Sequence, residues 1–168
     1  MRGKSARFKE ELYASVLQSE VFNRYLTARS DVDEGLLDGE VVRLDRTRSV
    51  FVVEDVPKEL ERFDSGDLIP TGPMFGPKMV RAHGRALLLE DAAEAEINLD
   101  DDARVVVARR GKGTRRDLIV RPTGTRAEVA SPGRVVVCFT LPSGSYATQL
   151  ARELTRLSWD QPLRPTVE

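Results

Sequence analysis

The N-terminal part of the chain carries its apolar side chains at helical spacing. Phe8, Leu12 and Val16 form one row, and the row on the adjacent line is made of Tyr13, Leu17, Val21 and Tyr25. Side chains four residues apart lie on the same side of a helix. The pattern therefore predicts a long helix over residues 5–29 that buries one face.

The same spacing recurs later in the chain and predicts one short helix and two long ones. The short helix, 58–63, follows Pro57, a residue tolerated in the first turn of a helix. The long helices are predicted over residues 79–98 and from Ser145 onward. Aspartates 100–102 are predicted to form a solvated turn after the 79–98 helix, because the alternating ligands and closing glutamate of a calcium loop are missing.

Five runs rich in β-branched residues predict strands. They cover residues 40–44, 50–53, 118–120, 125–129 and 134–140. Polar residues 45–49 join the first two runs as a hairpin, and Ser131-Pro132-Gly133 joins the last two. The predicted fold class is α+β, with mixed, mainly antiparallel sheet elements and three main helices.

The stretch over residues 65–78 contains three glycines and three prolines. Proline has no backbone N–H to donate, and glycine weakens both helices and strands, so we predict an irregular loop. Its apolar pairs, Leu68-Ile69 and Met74-Phe75, are unusual in a plain linker. We therefore expect the loop to be held against a core or to present these side chains to a partner.

The last predicted strand leads into the turn Leu141-Pro142-Ser143-Gly144-Ser145. Two interpretations of this turn are open. In one, Ser143 or Ser145 caps the final helix, and Gly144 adopts a backbone conformation that other residues resist. In the other, the free N–H groups at the helix start also bind an anion.

The composition is that of an ordinary soluble protein with one good core or two small ones, since the 168 residues are 40% hydrophobic and 32% charged. No apolar run approaches the ~20 residues of a membrane span, and charge rather than a signal-peptide core follows Met1. We therefore expect a cytoplasmic protein with no membrane partner. Cys138 lies in a strand run and is predicted to be a buried apolar residue. The single histidine, His83, leaves no His/Cys zinc cluster to propose.

The net charge of −1 conceals two segments of opposite charge. Residues 104–126 hold eight cations and one acid, a net charge of +7, whereas residues 31–67 hold twelve acids and five cations, a net charge of −7. A basic segment of this kind can hold a polyanion although the whole chain is almost neutral. The ordinary alternative is that the basic segment is only a solvated face.

Two enzyme classes find little support in the sequence. Gly111-Lys112-Gly113 lacks the spacing of a phosphate-binding loop, so nucleotide hydrolysis is not supported. A small-molecule enzyme would need a carboxylate pair and a companion base, and no such base is identifiable. The carboxylates available for such a pair are Asp31, Asp33, Glu34 and Asp67. Asp67 has a structural alternative, which is to bond to nearby backbone groups and hold the proline-rich segment.

Four segments point to a known family. Residues 139–148 read F-T-L-P-S-G-S-Y-A-T and are followed by Arg152-Glu153-Leu154, residues 66–73 read G-D-L-I-P-T-G-P, and residues 18–26 read Q-S-E-V-F-N-R-Y-L. The fourth segment is the pair Arg115-Arg116, which precedes Arg121-Pro122. Together they resemble the tRNA pseudouridine synthase D (TruD) family, whose signatures are F-x-L-P-x-G-S-[FY]-A-T…R-E-L, D-x-x-P-T-G-P, Q-S-x-x-F-N and a pair of arginines before a strand and proline.

The resemblance implies RNA modification. The family isomerises a uridine of tRNA to pseudouridine without cofactor or metal. An aspartate is thought to attack the nucleoside after the base has been flipped out of its stack, and the base is then reattached through carbon. The implied partner of this chain is therefore tRNA.

The family carries its catalytic aspartate in a G-x-K-D motif, and no aspartate follows a lysine anywhere in this sequence. The family signature N-x-F-G-x-x-R-F-G is missing as well. The resemblance thus assigns residues 1–130 to the family-specific inserted domain and residues 131–168 to the last strand and helix of an incomplete catalytic domain. No catalytic residue is assigned.

The implied function is that of the C-terminal part of a tRNA pseudouridine synthase, predicted to be inactive alone. The alternative is a catalytically inactive RNA-binding module or an accessory subunit of a split synthase. The candidate RNA-binding residues are Arg109, Arg110, Lys112, Arg115, Arg116, Arg121, Ser143, Gly144, Ser145 and Arg152. In the family, the final strand joins a sheet whose other strands precede this region, so we expect strand 134–140 to expose an apolar edge unless a separate N-terminal half covers it.

Overall fold

The computed structural model describes residues 4–30, 32 and 35–156, in two compact units, Met1–Ile119 and Val120–Glu168. The first unit contains α1 (Lys4–Ser30), β1 (Val41–Leu44), β2 (Val50–Val52), α2 (Val56–Asp64), β3 (Leu68–Met74), α3 (Gly84–Ala95), α4 (Asp101–Arg110) and β4 (Thr114–Asp117). The second contains β5 (Thr123–Ser131), β6 (Arg134–Thr140) and α5 (Ala147–Thr155). The predicted α+β class with antiparallel sheets is confirmed.

The first unit is built on an antiparallel sheet with strand order β2-β1-β3-β4. Val42 of β1 lies opposite Phe51 of β2 on one side and Pro70 of β3 on the other. Helix α1 packs against α3, α4 and β3, and buries Val21 and Tyr25 in a cluster with α3. The predicted hairpin and the predicted helices at the start of the chain and after Pro57 are confirmed.

Strand β3 occupies the stretch that was predicted to be an irregular loop, and all seven of its residues are buried. The ladder with β1 ends at Pro70, and the ladder with β4 begins at Thr71. Alternate residues of an antiparallel strand direct their N–H groups to different sides, so a proline fits where no donor is required. The Thr71 hydroxyl donates to the Val41 carbonyl at 2.6 Å, which continues the link to β1 beyond the proline. The prediction of irregular structure was wrong because it considered how many prolines the segment contains and not which positions of the ladder they occupy.

The aspartate run begins a helix, and the predicted solvated turn at this point was wrong. The Asp100 carboxylate accepts a hydrogen bond from the Ala103 N–H at 2.7 Å and so caps α4, with Asp101 and Asp102 in its first turn. Carboxylates at this end of a helix are favoured by the cap bond and by the helix dipole. The next strand, β4, begins four residues before the predicted strand 118–120 and ends at Asp117. Residues 118–120 themselves are not in a strand.

The second unit contains an antiparallel hairpin, which confirms the predicted pairing of its two strands. None of its described residues is buried. Cys138 is half-buried, so the prediction of a buried cysteine was wrong. The N-cap of α5 is Tyr146, which makes no side-chain cap bond, and the predicted cap by Ser143 or Ser145 was wrong. Gly144 has a φ of +87°, as expected for a glycine required by its turn.

Candidate nucleic-acid interface

Three of the segments singled out in the sequence meet in the first unit. Helix α1 meets β3 where the Phe22 ring lies against Gly72, at which an added Cβ would be 2.7 Å from a ring carbon. Strand β4 meets β3 where the Arg115 guanidinium donates to the Thr71 carbonyl at 2.9 Å. The helix, the P-T-G-P strand and the arginine pair therefore form one contiguous cluster.

Arg115 faces the interior of this cluster. Its side chain is 3% exposed and its Nη2 lies 2.6 Å from Oε1 of Glu90, whose side chain is 1% exposed. The same guanidinium donates to the Thr71 hydroxyl at 3.2 Å and to the Val80 carbonyl at 3.2 Å. Arg115 thus ties β4 to β3 and α3, and its donors are used within the fold.

The cluster also contains buried groups whose ionisation is disfavoured. Burial raises the pKa of Glu90, and the ion pair with Arg115 offsets part of that effect. Burial, followed by the nearby Glu40 and Glu90 carboxylates, raises the pKa of the Tyr25 hydroxyl above its ordinary value. Among the described residues, neither Oε2 of Glu90 nor the Tyr25 hydroxyl has a hydrogen-bond partner. The free-energy cost of burying these two polar atoms without hydrogen bonds therefore has to be offset by the packing of the surrounding side chains.

Arg116, the next residue of β4, is exposed and lies opposite Gly72 in the ladder, on the other face of the strand from Arg115. Its guanidinium carbon lies 4.8 Å from the centroid of the Phe22 ring, a cation–π distance. None of the carboxylates in the described ranges forms an ion pair with it. The two adjacent arginines therefore have different environments, one neutralised and buried, the other stacked and exposed.

Lys112 lies at a tightly packed corner between α4 and β4. Gly76 and Gly113 approach so closely that a Cβ on Gly76 would be 2.3 Å from the Gly113 nitrogen, so neither residue can carry a side chain without moving the backbone. The Lys78 N–H donates to the Lys112 carbonyl at 2.9 Å, which fixes the backbone of the corner. The Lys112 side chain itself is exposed.

The last turn of α4 carries the other two candidates of the first unit. Arg110 pairs with Glu10 of α1 at 2.8 Å, with both side chains 19% exposed. Arg109 is exposed, and no ion pair joins it to an acid within the described part of the chain. Of the five candidate cations in the first unit, Arg109, Lys112 and Arg116 therefore face solvent.

The remaining candidates belong to the second unit. Arg121 is exposed ahead of β5, and Arg152 is half-buried in the last turn of α5. Ser143 and Gly144 are exposed in the turn after β6, and Ser145 closes that turn by donating its N–H to a backbone carbonyl at 3.1 Å. The ten predicted residues thus divide between two units, five in each.

Of the four carboxylates that a small-molecule enzyme could use, Asp67 alone lies among the described residues. The Asp67 carboxylate accepts from the Arg62 guanidinium at 3.1 and 3.2 Å, a side-chain contact rather than the backbone contact proposed from the sequence. Asp31, Asp33 and Glu34 lie outside the described residues. Across residues 4–30, 32 and 35–156, no group of three or more histidine, cysteine or acidic side chains could hold a metal ion.

The sequence analysis assigned no role to Glu90, although it lies within the predicted helix 79–98. The signal was available in its spacing, because Glu90 lies four residues after Ala86 and three before Ala93, both of which are buried. A glutamate on the apolar row of a helix requires a buried cation, and Arg115 is that cation.

No helix in the described ranges has the length and apolar character needed to span a bilayer.

Comparison with known proteins gives a consistent match. The model of the family described as tRNA pseudouridine synthase D (TruD) matches residues 7–154. The tRNA pseudouridine synthase D of Syntrophotalea carbinolica is 32% identical over 146 residues, which cover 86% of this chain and 36% of the relative. That of Thermus thermophilus is 32% identical over 160 residues, which cover 93% of this chain and 43% of the relative.

A solved structure shows the same fold. It is a crystal structure from Methanosarcina mazei, of a protein provisionally assigned as tRNA pseudouridine synthase D (TruD), and it matches with a TM-score of 0.66 at 23% identity. The match covers 83% of this chain and 36% of that chain. The chain therefore spans roughly two fifths of the length of the curated relatives it matches, 36–43% in the two cases above.

Proposed function

The chain belongs to the tRNA pseudouridine synthase D family, and on that premise we propose that it is the C-terminal, RNA-binding part of a tRNA pseudouridine synthase. In this proposal the catalytic aspartate is supplied by a separate N-terminal half. The support is that no aspartate follows a lysine in this sequence, so the G-x-K-D motif of the family is absent. The cytoplasm, where tRNA is modified, is the proposed location.

The observation that carries RNA binding is the separation of the basic residues into two sets. Arg110 and Arg115 are neutralised by acids of the same unit, whereas Arg109, Lys112 and Arg116 face solvent without such partners in the described part of the chain. Cations left unneutralised on a surface can replace the counterions of a phosphate backbone, and they do so without regard to sequence. We propose that these three side chains contact the RNA backbone or the groups next to it.

The second unit supports the requirement for a separate half. It exposes large apolar side chains, among them Val129 and Val135 of the hairpin and Tyr146 at the start of α5. A two-stranded hairpin is only marginally stable in water, and exposed apolar strands are the usual sites of further strand pairing. We propose that residues 131–168 complete a catalytic sheet with that half, and that Ser143, Gly144, Ser145 and Arg152 support a bound nucleotide there.

RNA binding is tested by measuring the affinity of the chain for unmodified tRNA over a series of salt concentrations, using fluorescence anisotropy. Arg109→Ala and Lys112→Ala should each reduce the slope of log affinity against log salt by about one, as expected for a lost phosphate contact. Lys58→Ala removes the same charge from the acidic segment and should leave the slope unchanged. An affinity that does not respond to salt would show that the basic segment is only a solvated face.

A further inference from the structure

We propose that Phe22 and Arg116 form a stacking platform for one unpaired RNA base, so that Arg116 contacts a base rather than a phosphate. This inference rests on the proposed function, because it names the part of the RNA that this residue recognises. Three properties of the pair support it: the ring is fixed, the guanidinium of an exposed residue lies over it, and no acid among the described residues forms an ion pair with that guanidinium.

The Phe22 ring is held in place from within the fold. It is 6% exposed, and it lies against the backbone of Gly72 so closely that a methyl group at that position would be 2.7 Å from a ring carbon. The side chain of Leu118 closes the same space, reaching within 3.0 Å of that added methyl group. The lower layer of the stack is therefore rigid before any ligand binds, which reduces the entropy lost on binding.

The guanidinium forms the upper layer. Its carbon lies 4.8 Å from the ring centroid, within cation–π contact, while the residue as a whole is exposed. The guanidinium carbon thus lies over a buried ring while the residue that carries it is open to solvent. A flat, delocalised cation presented in this way is the side chain on which an unstacked base can lie.

The charge pattern of β4 sets Arg116 apart. Its neighbours on the strand are both paired within the protein, Arg115 with Glu90 and Asp117 with Arg43 at 2.6 Å. Arg116 alone of these three keeps its charge unneutralised among the described residues. A planar cation held over a buried ring exceeds what a merely polar surface needs, and it is a group on which a base can stack.

The test compares Arg116→Lys with Arg46→Lys, at an exposed position of the acidic segment 31–67, in the full chain, using two probes. One probe is a single-stranded RNA of twelve adenosines, and the other has the same backbone with every base removed. Lysine keeps the charge but cannot stack as a plane, so Arg116→Lys should weaken binding of the base-carrying RNA about tenfold. It should leave binding of the abasic RNA unchanged, and Arg46→Lys should leave both unchanged.

Three other outcomes are informative. If Arg116→Lys binds both probes as the unaltered chain does, or loses the same factor on both, Arg116 contacts no base and the platform is refuted while RNA binding stands. If the unaltered chain binds neither probe nor tRNA, the proposed function and the platform fail together. Phe22→Leu, with its fold checked by urea unfolding, provides a second route, because it should reproduce the loss on the base-carrying probe only.

Discussion

Two strands of this chain contrast sharply, one in each unit. Strand β3 reads L-I-P-T-G-P-M and is buried along its whole length, whereas β6 reads R-V-V-V-C-F-T and has no buried residue. The more apolar sequence is the more exposed one. The difference lies in their neighbours, because β3 is paired on both edges and covered by α1, whereas β6 has β5 alone. Apolar composition therefore predicts that a strand belongs in a core, but not that the core is provided by the same unit.

The contrast suggests that the first unit is stable by itself and that the second gains its stability from contacts outside it. In the first unit the buried network around Arg115 should be the most sensitive point. Arg115→Ala leaves Glu90 as an unpaired buried carboxylate, and the free energy of unfolding should fall by about 3–5 kcal/mol. Urea unfolding followed by circular dichroism measures this loss.

The matched control is Arg110→Ala, which breaks a more exposed ion pair with Glu10. Its loss should be at most about 1 kcal/mol, because solvent screens that pair. Equal losses for the two variants would mean that burial does not distinguish the two pairs.

The same substitution in the two units tests the contrast directly. Val42 is 0% exposed and Val135 is 60% exposed. Val42→Ala should lower the free energy of unfolding by about 2 kcal/mol, through lost burial and a residual cavity. Val135→Ala should change it by less than about 0.5 kcal/mol, as is usual at a solvated position. A larger effect at Val135 would show that the second unit already has a core.

The smallest expected effect concerns the pH dependence of stability. The folded-state pKa of Glu90 is raised above its ordinary value of 4.5, mainly by burial, so the folded state keeps this proton to a higher pH than the unfolded chain does. The stability that this bound proton adds to the folded state is fully present below the pKa of Glu90 in the unfolded chain. It is lost as the pH rises through the pKa of Glu90 in the folded state. Relative to Glu90→Gln, the unaltered chain should therefore become less stable as the pH rises.

Urea unfolding of both proteins between acid and neutral pH measures this trend. Glu128→Gln, at an exposed position of β5, is the control and should show no such trend. A relative stability that rises with pH would mean that the ion pair with Arg115 outweighs burial at Glu90.

The sequence predicted regular elements well wherever local spacing decides them. Helix α1 begins and ends within one residue of its prediction, because its apolar rows are long and uninterrupted. Which part of these rows is buried could not be predicted, since both rows suit a helix and the partners are remote in sequence. In the structure Val21 and Tyr25 are buried. Tyr13 of the same row is exposed, as are Phe8, Leu12 and Val16 of the other row, so burial follows position along the helix.

The candidate site was predicted only as a set of residue types. A basic segment does not reveal which of its cations are neutralised by acids elsewhere in the chain, and the acids that pair with Arg110 and Arg115 are 100 and 25 residues away. The contact of Arg116 with Phe22 also joins two segments that are far apart in the sequence. These contacts depend on how β3 and β4 pair, and the prolines of β3 concealed that pairing.

The most direct test is isomerisation of unmodified tRNA by the purified chain, with the pseudouridine content measured by mass spectrometry. The full-length Thermus thermophilus relative provides the positive control. The chain alone should form no pseudouridine, and addition of a separately expressed N-terminal half carrying G-x-K-D should restore it. If that half restores nothing, the chain is an inactive RNA-binding module. Pseudouridine formed by the chain alone would contradict the absence of a catalytic aspartate on which the proposed function depends.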